Sequence, residues 1–167
     1  MRLILSSLLT LFLLNGLAAQ NLEITEIRRL YRETQENKGS YTRQTQHDFE
    51  HSSEGGQLTA YRDEREIRLI ETVYYGHMGN SASEYYFANG QLYFVFVKTR
   101  HYNAPPTVSE HDESKTTTEE YRYYFWEGQM IRCIQPDGSF LEADSDEFAE
   151  QAERIAELAE MALEEFQ

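Results

Sequence analysis

The chain has 167 residues, 29 acidic against 15 basic side chains, a formal net charge of −14 and a single cysteine. This length supports one hydrophobic core, and one thiol cannot form an intramolecular disulfide, so burial alone must hold the fold. Such an acidic surface repels nucleic acid and anionic lipid at long range, and no nucleic-acid partner is expected.

Met1-Arg2, the apolar stretch from Leu3 to Leu14 and the small residues of Gly16-Leu17-Ala18-Ala19 read as an export signal over residues 1–19, cut before Gln20. The apolar stretch is shorter than the roughly 20 residues that cross a bilayer. The expectation is therefore an exported chain, periplasmic or secreted, that is soluble and not membrane-spanning once the signal is removed. Residues 20–167 are expected to form a single domain.

Asn21 to Glu36 follows as a helix, with Ile24, Ile27, Tyr31 and Thr34 on one side, Leu30 beside them, and Asn21 placed to cap its start. Arg29 and Glu33 can pair one turn apart, and Gly39 can end the helix. From Tyr41 to His51 the period changes to two, which marks a strand near a sheet edge. Gly55-Gly56 turns the chain into a strand around Leu58 to Arg62. Asp63-Glu64 turns it again, and Arg65 to Tyr75 places Ile67, Leu69, Val73 and Tyr75 on one face.

A tripeptide then recurs: Gly56-Gln57-Leu58, Gly90-Gln91-Leu92 and Gly128-Gln129-Met130. In the second and third copies an aromatic run precedes the glycine and an apolar run follows it, which spells strand, tight reversal and returning strand. Asn89-Gly90 is a preferred two-residue turn because both positions tolerate positive φ, and Glu127-Gly128 is a poorer version of it. The segment Tyr-Tyr-Phe-x-Asn-Gly-Gln-Leu resembles MORN-type repeats, in which tyrosines precede an Asn-Gly turn. The glycines here stand 34 and 38 residues apart, without the repeated downstream glycines of those arrays, so no role is carried over.

Between the two hairpins, residues 101–118 contain Pro105-Pro106 and a Ser/Glu/Thr-rich run, and this composition predicts a mobile loop. Gln135-Pro136-Asp137-Gly138 closes the sheet with a turn. A last helix follows, capped by Asp144 with Glu147, its stripe formed by Phe148, Ala152, Ile155, Ala159, Ala162 and Phe166. The fold class is α+β: an antiparallel meander of six or seven strands with an N-terminal and a C-terminal helix packed on it.

Chemistry is less legible than fold. His47-Asp48-Phe49-Glu50-His51 resembles the H-x-x-E-H signature of inverted zinc peptidases, which implies two imidazoles on zinc and a carboxylate that polarises water. In those enzymes the motif is helical. On a strand His47 and His51 stand about 13 Å apart and Glu50 faces the other way. A zinc hydrolase using His47 and His51 is thus the remotest reading, and no catalytic residue, metal ligand or cofactor is assigned. Cys133 reads as a small buried hydrophobe.

The aromatic hairpins carry more weight. Adjacent rings in a strand face opposite sides, so one layer meets the helices and the other needs a cover of loops, ligand or partner. Tyr85, Tyr93, Tyr121, Tyr123 and Trp126 are the candidate binding residues. From Leu141 to Gln167 there are ten acidic residues against Arg154 alone, a second candidate surface, for a basic protein. Arginines outnumber lysines twelve to three, and those near strands are expected to pair with glutamates across neighbouring strands. The expected function is an exported binding module that engages a protein partner through the aromatic sheet face or the acidic helix. The alternative is a carrier of a small apolar ligand or sugar in an aromatic-lined pocket.

Overall fold

The computed structural model describes residues 3–49, 52 and 54–167, with side chains from Gln20 onward. A seven-stranded antiparallel meander lies between two helices, one on each face. In chain order the elements are α1 (Leu3–Asn37), β1 (Thr42–Asp48), β2 (Gly56–Arg62), β3 (Ile67–Gly76), β4 (Gly79–Ala88), β5 (Gln91–His101), β6 (Thr117–Trp126), β7 (Gln129–Ile134) and α2 (Asp146–Glu164). Each strand pairs only with its neighbours in sequence, the expected meander. Among the described residues no helix is long and apolar enough to cross a membrane.

The stripe on α1 is the one that helical spacing dictates: Ile24, Ile27 and Thr34 are buried, with Leu30 and Tyr31 beside them. Asn21 does not start this helix, because the backbone is already helical from Leu3. Arg29 pairs with both Glu26 and Glu33 at 2.7 and 2.8 Å. After Asn37 the chain tightens into a 3₁₀ turn at Lys38–Ser40 before β1.

On the opposite face α2 buries Phe148, Ile155, Ala159 and Ala162, spaced to recur on one side of a helix. Its cap is Ser145 rather than Asp144: the Ser145 hydroxyl accepts from the Phe148 N–H at 3.1 Å. That satisfies one of the four N–H groups a helix start leaves open.

Two hairpins share their geometry as they share their sequence. Asn89 and Gly90 have φ of 54° and 71°, Glu127 and Gly128 have 49° and 78°, so both reverse through left-handed pairs. Each also carries a bulge at the equivalent place, after Tyr86 and after Tyr124. Tyr86 pairs with Phe94 while Phe87 pairs with Leu92, so Tyr93 is an extra residue. The bulge puts Tyr93 and Phe94, neighbours in sequence, into the same cluster beneath α1.

The first copy of the tripeptide is a different object. Gly56 opens β2 and pairs with Asp48 and Tyr74, and the reversal falls at Gly55, φ 82°. A side chain at Gly56 would come within 2.5 Å of the Tyr74 ring, so glycine here lets that ring lie against the backbone.

The arginines near strands pair along the chain more than across it. Arg68 meets Glu66 at 2.9 Å and Arg122 meets Glu120 at 2.8 Å, each two residues away on the same side. The segment after β5 folds on itself through several hydrogen bonds. Asn103 donates to the Glu110 carbonyl at 2.8 Å and accepts from the Asp112 N–H at 2.9 Å, and the Tyr102 ring meets His111 edge-on. Arg100 pairs with Glu113 over this segment.

Candidate functional site

The five aromatic candidates do not form one surface. Tyr85, Tyr121 and Tyr123 face α2, whereas Tyr93 and Trp126 face α1. Tyr85, Tyr93 and Tyr123 are buried at 4%, 5% and 1% exposure, and Tyr121 and Trp126 are half-buried. Period two divides the rings between faces except at the bulge, which turns Tyr93 to the same side as Phe94, and one helix on each face supplies most of their cover.

Beneath α1 the tyrosines end in hydrogen bonds to the helix. The Tyr93 hydroxyl meets Thr34 Oγ1 at 3.1 Å, and Gln35 Nε2 donates to the Tyr86 hydroxyl at 2.6 Å while that hydroxyl donates to Glu84. Burial pushes the Tyr93 phenol up to about 12, against a smaller pull from its Thr34 bond. At the end of the helix Lys38 pairs with Glu71, which also accepts from the Tyr61 hydroxyl at 2.8 Å. Every one of these polar groups has a partner within the fold.

The α2 side differs. Between the C-terminal half of α2 and strands β2–β4 lies a cleft of about 350 Å³ lined by Leu58, Thr72, Tyr74, Tyr85, Leu158, Met161 and Ala162, with Asp48 and Glu165 at its edge. Leu158 and Met161, 37% and 45% exposed, extend the apolar wall toward solvent. Thr72 is 2% exposed, and its Oγ1, beside the Tyr85 hydroxyl, makes no hydrogen bond of full geometry. A hydroxyl left in this state costs about 1–3 kcal/mol, so an unmatched one in a wall of apolar groups calls for an explanation.

Two tyrosines frame that hydroxyl. The Tyr74 hydroxyl donates to Asp48 Oδ2 at 3.1 Å, and burial followed by the Asp48 carboxylate pushes its phenol up. Burial also raises Tyr85, and hydrogen-bonding contact with Ser83, the Arg154 charge and a weaker contact with the Thr72 hydroxyl pull it part of the way back. Neither phenol ionises at neutral pH. The cleft therefore offers neutral hydroxyls in an apolar container, an arrangement suited to holding and orienting a molecule.

The other chemical candidates stand apart from it. His47 is exposed on β1, stacked on Phe49 with ring centres 6.3 Å apart, while Glu50 and His51 lie outside the described residues. Among the described residues no three histidine, cysteine or carboxylate side chains gather closely enough to hold a metal ion. Cys133 is 2% exposed, and burial pushes its thiol up to about 11, away from the thiolate that nucleophilic attack needs. Sequence reading named Tyr85 but missed Thr72, Tyr74, Leu158 and Met161. The exposed pair Leu158 and Met161, lying off the regular stripe of α2, is the signal that could have found the rim.

No protein-family model matches this chain, and neither a curated protein nor a solved structure is similar enough to count as a match.

Proposed function

We propose that this chain is a binding module for a small, largely apolar molecule carrying one polar group, held in the cleft between α2 and the sheet. The observation that carries the reading is the buried Thr72 hydroxyl, without a hydrogen bond of full geometry, in a cleft of about 350 Å³ whose walls are otherwise mostly apolar. That volume lies at the small end of the usual range of about 300–1,000 Å³ for ligand pockets. A donor or acceptor on the ligand would satisfy Thr72, and the Tyr85 ring would pack against the ligand body. This reading is favoured over a protein partner on an aromatic sheet face because three of the five candidate rings are buried.

We further propose that the module works outside the cytoplasm after residues 1–19 are removed. Support comes from the apolar stretch from Leu3 to Leu14 and the small residues before Gln20.

Titration with N-phenyl-1-naphthylamine, a fluorescent apolar probe with one N–H, tests the binding reading. The wild-type chain should give saturable enhancement. Met161→Asp, which places a charge at the exposed rim, should weaken binding at least tenfold without unfolding the chain. Absence of saturable binding, or equal binding by the variant, would overturn the reading.

A further inference from the structure

A second depression lies on the opposite face, where α1 leaves part of the sheet uncovered. It measures about 270 Å³ and is lined by Ile27, Arg28, Tyr31, Phe94, Phe96, Arg122 and Tyr124. Two guanidinium groups line one groove with an aromatic floor, in a chain whose net charge is −14.

The two arginines are held differently. Arg122 stacks over the Phe96 ring, 5.1 Å from its centre, and its Nη2 donates to Glu120 at 2.8 Å. These contacts fix the plane of the guanidinium, and the one Glu120 bond leaves further N–H donors of the fork. Arg28 is exposed on α1 and forms no ion pair among the described residues. The floor is built as a cluster: Tyr31 meets Phe94 edge-on at 5.5 Å, and Phe94 meets Tyr124 at 5.1 Å. Ridges of this kind accept a ring in tilted or stacked contact.

We propose that this groove binds a small aromatic carboxylate, with the ring on Tyr31, Phe94 and Phe96 and the carboxylate between Arg28 and Arg122. Charge complementarity selects the occupant. A carboxylate gains charge-assisted hydrogen bonds from Arg28 and from the N–H donors that Arg122 keeps beside its Glu120 bond, whereas an amine is repelled by Arg28 and finds no acceptor on either guanidinium, and a neutral ring gains only the floor. The site is separate from the α2 cleft, since the sheet stands between them, and binding at one does not require the other.

Calorimetric titration of the whole chain with phenylacetate, benzyl alcohol and phenethylamine, at low salt, provides the test. Phenylacetate should bind at least tenfold more tightly than the other two, and Arg28→Gln should remove that preference. Arg28 is exposed on the helix, so its replacement leaves the fold intact; a second variant, Met161→Asp in the other cleft, should leave phenylacetate binding unchanged. Equal affinity for the three probes, retention of the preference in Arg28→Gln, or loss of phenylacetate binding in Met161→Asp would each overturn the assignment.

Discussion

The two faces of the sheet solve the same packing problem by different means. Under α1, tyrosine hydroxyls reach Thr34 and Gln35 on the helix, and Lys38 reaches Glu71 just past its end, so the helix is pinned at named points. Under α2 the contact is broader and more apolar, built from residues such as Ile70, Val95, Phe125 and Ile155. Hydrogen bonds specify position, whereas apolar area gives stability without fixing where an element sits. The face held mainly by area, with the Tyr123 hydroxyl donating to Gln151 at 3.3 Å and Gln46 donating to the Glu165 carbonyl as its polar ties, is the one that leaves a cleft with a poorly matched hydroxyl.

Deleting the centre of each helix is the strongest way to break this comparison. Ile155→Ala on α2 and Ile27→Ala on α1 remove side chains that are both 1% exposed. Each should cost about 2–5 kcal/mol, with Ile155 toward the upper end because its apolar cluster is larger. Urea denaturation of both variants reads the difference. A larger loss at Ile27 would mean that the pinned face also supplies most of the stability.

Alkaline pH sharpens the comparison from the other side. Burial raises the Tyr93 phenol in the folded chain to about 12, from the ordinary tyrosine value of about 10. A raised pKa favours the neutral, folded form, so this contribution is complete below pH 10 and is lost as pH climbs from there through 12. Tyr93 alone accounts for about 3 kcal/mol across that window. Denaturation midpoints measured from pH 9 upward should fall in step with phenolate absorbance. Tyr93→Phe should flatten part of the fall, and an unchanged pH profile in that variant would show that burial does not hold the Tyr93 phenol neutral in the folded chain.

How much of this was legible in sequence depends on which physical signal wrote each element. The meander was legible because Asn89-Gly90 can adopt the reversed turn and the runs around it alternate in the right period. Tyr93 shows where alternation fails. A single extra residue at the bulge turns it to the α1 side with Phe94, and nothing in residue spacing announces that shift. The polar start of β4, from Gly79 to Ser83, was also hidden, because it becomes a strand through pairing with β3 and β5 rather than through its own propensity. The cleft was the least legible feature. Tyr85 could be named from the aromatic run, but Thr72 and Met161 are distant in sequence and meet only after α2 crosses the sheet.

Replacement of Thr72 by valine, followed by urea denaturation of the ligand-free protein and titration with N-phenyl-1-naphthylamine, tests the central claim most directly. The substitution keeps the shape and removes the unmatched hydroxyl. The ligand-free variant should gain about 1 kcal/mol of stability while its affinity for the probe falls. A loss of stability together with unchanged probe affinity would mean that the hydroxyl is already satisfied inside the fold, and the cleft would then have no polar group waiting for a ligand.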